Sequence, residues 1–221
     1  MHRLLHIDAS PRSHRSRSRP VATALAGELQ RSHGVAVTPL DLWRHAMPTL
    51  GGGMIEGRYA RIMGQSIYAD NADMAKVWDE ADRQAREFLS YDGYLIATPM
   101  WNFGVPHVLK HYIDVITQPD LLFTNNASGA VAGQAAGRPA MIVAASAMPI
   151  ADGGNPAETF DFQLSYLRAW LGFIGVTDIR SLRVAPTHGA EADVQAVVDA
   201  AALSARALAE DFAQALKAVR E

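Results

Sequence analysis

Arg3-Leu4-Leu5-His6-Ile7-Asp8, then Ser10-Pro11-Arg12-Ser13-His14-Arg15-Ser16-Arg17-Ser18-Arg19, then Val21, Leu25 and Leu29 four apart: from this stretch the fold of the 221-residue chain can be read. The short apolar run bounded by polar residues reads as a strand. The four-residue apolar spacing after Pro20 reads as a helical stripe. The ten residues between them form a hydroxyl- and guanidinium-rich loop that opens directly onto a helix N-terminus.

Working outward, the same alternation continues. Gly34 ends the first helix, and residues 35–42 alternate like a second strand. Val77, Ala81, Ala85 and Phe88 predict a helix over 76–90, and Tyr94-Leu95-Ile96-Ala97 a buried strand. Residues 108–116 read as helix, 141–145 as strand, 157–174 as helix and 179–184 as a fifth strand. A single Ala-rich helix from Glu191 closes the chain. Five strands, each followed by helix, imply an α/β protein with a parallel sheet covered on both faces. Ligands in such sheets bind outside the carboxyl ends of the strands, where the strand order reverses. One connection is long for a compact domain: residues 43–73, with Gly51-Gly52-Gly53 inside, read as an extended insertion. Its Trp43, Met47, Tyr59, Ile62, Met63 and Tyr68 would prefer cover, over a site or across a subunit boundary. The whole chain, 1–221, reads as one domain.

Composition narrows the chemistry. There is no cysteine, which removes disulfide frameworks, thiolate metal sites and thiol nucleophiles. Neither G-x-G-x-x-G nor a Walker A loop follows the first strand, so the first loop suits a single terminal phosphate held by hydroxyls and helix N–H groups. The net charge of -3 argues against nucleic acid as a partner. With no apolar run of membrane-spanning length and no secretory leader pattern, the expectation is a cytoplasmic protein with no membrane partner. His107 and His111 share a helix face, but Val108 stands where a zincin has glutamate, so no metal site is expected. His6, inside a strand, reads as a satisfied core or sheet-end histidine.

After the third strand comes Thr98-Pro99-Met100-Trp101-Asn102-Phe103-Gly104-Val105-Pro106. An aromatic, amide-bearing loop at a strand's carboxyl end suits a planar heteroaromatic ring. This stretch, with Leu109-Lys110 and Ile113-Asp114, resembles the flavin loop of the FMN-dependent NADH-azoreductase family, flavodoxin-like quinone and azo reductases. Residues 166–176 resemble the family's late helix, and Ser10 with Ser16-Arg17-Ser18 its phosphate loop.

The resemblance implies a flavodoxin-like three-layer sandwich with a five-stranded parallel sheet, a homodimer and non-covalently bound FMN. NADH or NADPH would act as transient donor, with a quinone or azo compound as acceptor in two-electron ping-pong transfer. Carried over residue by residue, Ser10, Ser16, Arg17 and Ser18 would hold the phosphate. Met100, Trp101, Asn102 and Phe103 would line the ring. Ser146, Ala147, Met148 and Pro149, where the family commonly reads Ser-Arg-Gly-Gly, would border its pyrimidine end. Phe123 and Trp170 are substrate candidates, and no side chain is assigned as a catalytic acid or base. The alternative is a flavodoxin-type electron carrier. Such carriers are usually strongly acidic, which a net charge of -3 and an Arg-rich first loop do not match.

Overall fold

A computed structural model of the chain describes residues 1–51, 57, 59, 63, 72–125, 130–150 and 160–220. Its centre is a five-stranded parallel sheet in the order β2-β1-β3-β6-β7. The strands are β1 (Arg3–Asp8), β2 (Ala36–Asp41), β3 (Gly93–Pro99), β6 (Ala140–Ala145) and β7 (Ile179–Val184). Two further short strands, β4 (Phe123–Asn125) and β5 (Val131–Gly133), pair antiparallel as a separate hairpin. Among the described residues six α-helices flank the sheet: α1 (Ser18–His33), α2 (Ala72–Leu89), α3 (His107–Ile116), α4 (Phe162–Phe173), α5 (Glu191–Ala207) and α6 (Ala209–Lys217). The expected three-layer sandwich is the architecture observed.

The three inner strands, β1, β3 and β6, are apolar on both faces, as strands covered by helices on either side must be. In β1, Leu4 joins the core under α1, α5 and α6, while Leu5 and Ile7 join the core under α2, α3 and α4. β3 and β6 follow the same alternation: Leu95, Ala97, Met141 and Val143 face one core, Tyr94, Ile96, Ile142 and Ala144 the other. On that second face Phe88 of α2 stacks on Tyr94 at 4.0 Å between ring centroids.

All five central strands lie where periodicity predicts them; the helix ends differ. α1 begins at Ser18, two residues before Pro20. It ends at Gly34, whose φ of 65° is the left-handed stop that lets the Val35 N–H reach the Leu29 carbonyl at 3.1 Å. The helix expected over 157–174 begins at Phe162, because the Asp161 carboxylate accepts from the Leu164 N–H at 3.1 Å and caps it there. Residues 157–159 lie outside the described residues. The tail is two helices rather than one, broken at Leu208, so that Phe212, Ala213 and Leu216 of α6 also reach the core. Most of the 43–73 insertion lies outside the described residues, including Gly52, Gly53, Ile62 and Tyr68. Its start folds back on the α2–α3 face. Met47 and Leu50 pack there, Ala46 accepts from Gln84 Nε2 at 2.9 Å, and the Pro48 carbonyl meets His111 Nε2 at 2.9 Å.

Candidate functional site

The strand order doubles back between β1 and β3, and the loops leaving β1, β3 and β6 converge at the carboxyl end of the sheet. The β1 loop is held by its own side chains. Ala9 donates to the Ala97 carbonyl at 2.9 Å, and the Ser10 N–H to Asp8 Oδ1 at 2.8 Å. Arg19, in the first turn of α1, pairs through Nε with the buried Asp8 carboxylate and donates from a terminal nitrogen to the Ser10 carbonyl at 3.2 Å. The same guanidinium lies 3.6 Å from Asp41 at the end of β2.

Ser10, Ser16 and Ser18 are all buried. Ser16 Oγ accepts from the Arg19 N–H at 3.1 Å, whereas Ser18 Oγ is buried without a hydrogen-bond partner. A buried hydroxyl left over at the first turn of a helix, beside N–H groups with no intrahelical acceptor, is the donor set that fits a phosphate. Arg17 is engaged elsewhere: its guanidinium reaches both carboxylate oxygens of Glu191, at 2.8 and 2.6 Å, and holds that carboxyl below its ordinary range.

The β3 loop is a tight hairpin. Trp101 and Gly104 exchange backbone hydrogen bonds at 3.0 and 2.9 Å across Asn102 and Phe103, both in the left-handed region at φ 46° and 70°. Two successive positive-φ residues make a primed turn, which glycine usually occupies. Here that conformation costs energy and turns three residues outward, with Trp101, Asn102 and Phe103 all exposed. The Met100 N–H ties the loop to the Ala145 carbonyl at 2.7 Å, and the Phe103 carbonyl accepts from Phe162 at 3.0 Å. The β6 loop begins at buried Ser146, whose Oγ donates to the Met148 carbonyl at 2.8 Å. Ala147, Met148 and Pro149 follow, exposed. Asp152, Gly153 and Gly154 lie outside the described residues.

Residues 2–215 match the family model described as flavodoxin-like fold. The chain belongs to this family. It is 39% identical over 213 residues to an FMN-dependent NADH:quinone oxidoreductase of Nitratidesulfovibrio vulgaris, covering 95% of this chain and 99% of that protein. It is 35% identical to FMN-dependent NADH:quinone oxidoreductase 3 of Pseudomonas fluorescens, covering 96% and 98%. Among solved structures, an azoreductase from Bacillus anthracis superposes with a TM-score of 0.82 at 23% identity, over 96% of this chain and all of that one. An FMN-dependent NADH-azoreductase from the same species, in complex with FMN, gives 0.81 at 21% identity, with the same coverage. At that identity the two structures speak for the fold.

Within this family fold, the sequence-predicted residues separate into two groups. Those of the three loops converge. Phe123 and Trp170 do not join them. Trp170 lies in the core among the α2–α4 side chains, its indole N–H donating to Thr117 Oγ1 at 3.0 Å. Phe123 is buried against Phe173, at the end of α4 remote from Phe162. With a rise of about 1.5 Å per residue, that end is roughly 15 Å away from the loops. Trp43, expected from sequence only as apolar surface in need of cover, also stands at the site. Trp43 donates from Nε1 to the Ala9 carbonyl at 2.9 Å, and its ring lies 5.8 Å from that of Trp101 and 5.3 Å from that of His107. A groove of about 410 Å³ between α1 and edge strand β2 is lined by His6, Asp8, Arg19, Thr23 and Gln30 and includes no ring-loop residue. Contrary to expectation, His6 Nε2 is buried there without a hydrogen-bond partner. Among the described residues no group of three His, Asp or Glu side chains could hold a metal ion, and no helix is long and apolar enough to cross a membrane.

Proposed function

We propose that this chain is an FMN-dependent oxidoreductase that passes two electrons from NADH to a quinone, with azo compounds as a second acceptor class. The observation that carries the reading is near-full-length similarity to proteins named FMN-dependent NADH:quinone oxidoreductases, joined to a hydroxyl cradle at a helix N-terminus facing the switch point of the sheet. The azo acceptors rest on the motif Pro99-Met100-Trp101-Asn102-Phe103-Gly104.

Bound FMN would supply the hydride-accepting and hydride-donating chemistry. The protein's part is to bind and orient. Ser10, Ser16 and Ser18, with the first N–H groups of α1, would hold the phosphate. Arg17 would add its charge there if released from its exposed Glu191 partner. The outward turn Met100–Phe103 supplies backbone and ring surface for the isoalloxazine, and residues 146–149 border its pyrimidine end. A second copy of the chain would cover the exposed aromatic rim of Trp43, Trp101, Phe103, Phe160 and Phe162, with the 43–73 insertion as a candidate wall. An electron carrier is less well supported, since the similar proteins carry oxidoreductase names.

The test is the visible spectrum of the purified protein loaded with FMN. Flavin bands bleached rapidly by NADH and restored by a quinone are expected. A protein that stays colourless with added FMN would sink the proposal. Slow bleaching by NADH with fast reduction by a protein donor would favour the carrier.

A further inference from the structure

We propose that Trp43 is a positioning residue that clips the phosphate cradle to the ring loop, so that the two halves of the flavin site act as one unit. The inference rests on the flavin reading above. Trp43 follows β2 and is oriented from both ends. Its own N–H donates to Asp41 Oδ1 at 3.0 Å, and its indole N–H crosses to the Ala9 carbonyl at 2.9 Å, immediately before Ser10. The ring then lies against Trp101 at 5.8 Å and stands edge-on to His107, the first residue of α3, at 5.3 Å. Trp101 and His107 are themselves 6.0 Å apart, closing a three-ring cluster.

The Trp43 side chain therefore joins the ends of β1 and β3 to the start of α3, while its backbone N–H holds Asp41 at the end of β2. From Trp43 the path runs by Ala9 to Ser10, and by Asp41 to Arg19, which also grips Asp8 and the Ser10 carbonyl. On the other side it runs by ring contact to Trp101, the first residue of the strained turn. A core tryptophan would be fully covered. Trp43 instead remains 38% exposed, at the mouth of the site. Its neighbours are the loops that would hold opposite ends of one ligand, and through the Trp43 contacts displacing either loop moves the other.

The test compares the unaltered protein with Trp43→Phe, which keeps a ring and removes the N–H, and with Trp43→Phe combined with Ser18→Ala. FMN affinity is measured by quenching of flavin fluorescence, and the bound flavin by its visible circular dichroism. Trp43→Phe should raise the Kd for FMN about five-fold, the worth of one hydrogen bond, and alter the dichroism. In the double variant the two effects should combine to less than their product, because each loosens the same cradle. Unchanged affinity with unchanged dichroism, or strictly multiplicative effects, would overturn the clip while leaving the flavin reading intact. Failure of the unaltered chain to bind FMN would overturn both. Trp43→Tyr serves the same comparison if the Phe variant does not fold.

Discussion

Ser18 and His6 are both buried polar side chains with an unpartnered atom, and they call for different experiments. Ser18 stands at the first turn of α1, where its hydroxyl can meet an anion together with the helix N–H groups. Losing a hydrogen bond to a charged acceptor costs about 1.5–3 kcal/mol, so Ser16→Ala with Ser18→Ala should weaken FMN binding at least roughly tenfold. Riboflavin, which lacks the phosphate, should bind the variant as it binds the parent. Equal losses for both ligands in a titration would show that these serines do not read the phosphate. His6 concerns stability. Burial holds its imidazole below the ordinary value of 6.5, Asp8 opposes that shift and Arg19 adds to it. The folded state therefore keeps His6 neutral, while the unfolded chain takes up a proton as pH falls through 6.5. Its contribution is fully present above that pH and is lost progressively below it. Urea unfolding at about pH 7.5 and about pH 5.5 should show lower stability at the acid pH, with a smaller difference in His6→Gln. An equal pH dependence in the variant would refute the assignment.

Among the elements, the β4–β5 hairpin is tightly constrained at Gly133. A Cβ there would fall 2.0 Å from the backbone carbon of Ile174 and 2.2 Å from the Gly175 nitrogen, where α4 ends. Backbone cannot step aside as a flexible side chain can. Gly133→Ala should therefore cost about 3 kcal/mol or detach the hairpin, seen as a lowered urea midpoint and faster amide exchange at the Ala135 N–H, now bonded to the Ile174 carbonyl at 2.7 Å. A variant as stable as the parent would mean that the close approach yields easily. This hairpin also marks where sequence reading stops. The five central strands were legible because each is a short apolar run with helical spacing after it. β4 and β5 have three residues each, of which only Phe123 is buried, so no period can register. The site divides in the same way. The Ser-rich loop and the Trp101-Asn102-Phe103-Gly104 turn are contiguous and announced themselves. Trp43 acts on a loop distant in sequence, and the indole N–H of Trp170 ends on Thr117 inside the core, a contact no spacing announces.

At the scale of the molecule, apolar surface is unevenly spread. Trp43, Trp101, Phe103, Phe160 and Phe162 are between 38% and 51% exposed, and they belong to segments joined to one another: Phe103 packs on Phe160 at 5.1 Å and bonds through its carbonyl to Phe162. An aromatic rim of this kind around a site for a flat ring is the surface a partner would cover. A second copy of the chain is the proposed cover, which makes activity depend on protein concentration. Diluting the FMN-loaded protein below its dimer dissociation constant should lower quinone turnover per protomer, while sedimentation shows the mass falling from twice 23.9 kDa to that value. Phe162→Glu sharpens the comparison. An acidic side chain in the first turn of α4 suits the helix dipole, so the fold should tolerate it, but a charge on the rim should oppose association. The variant is expected to be monomeric, to keep FMN through the serine cradle and to lose most of its turnover with quinone. Full activity in a sedimentation-proven monomer would sink the dimer and leave the open face of the site as the place where acceptors dock directly.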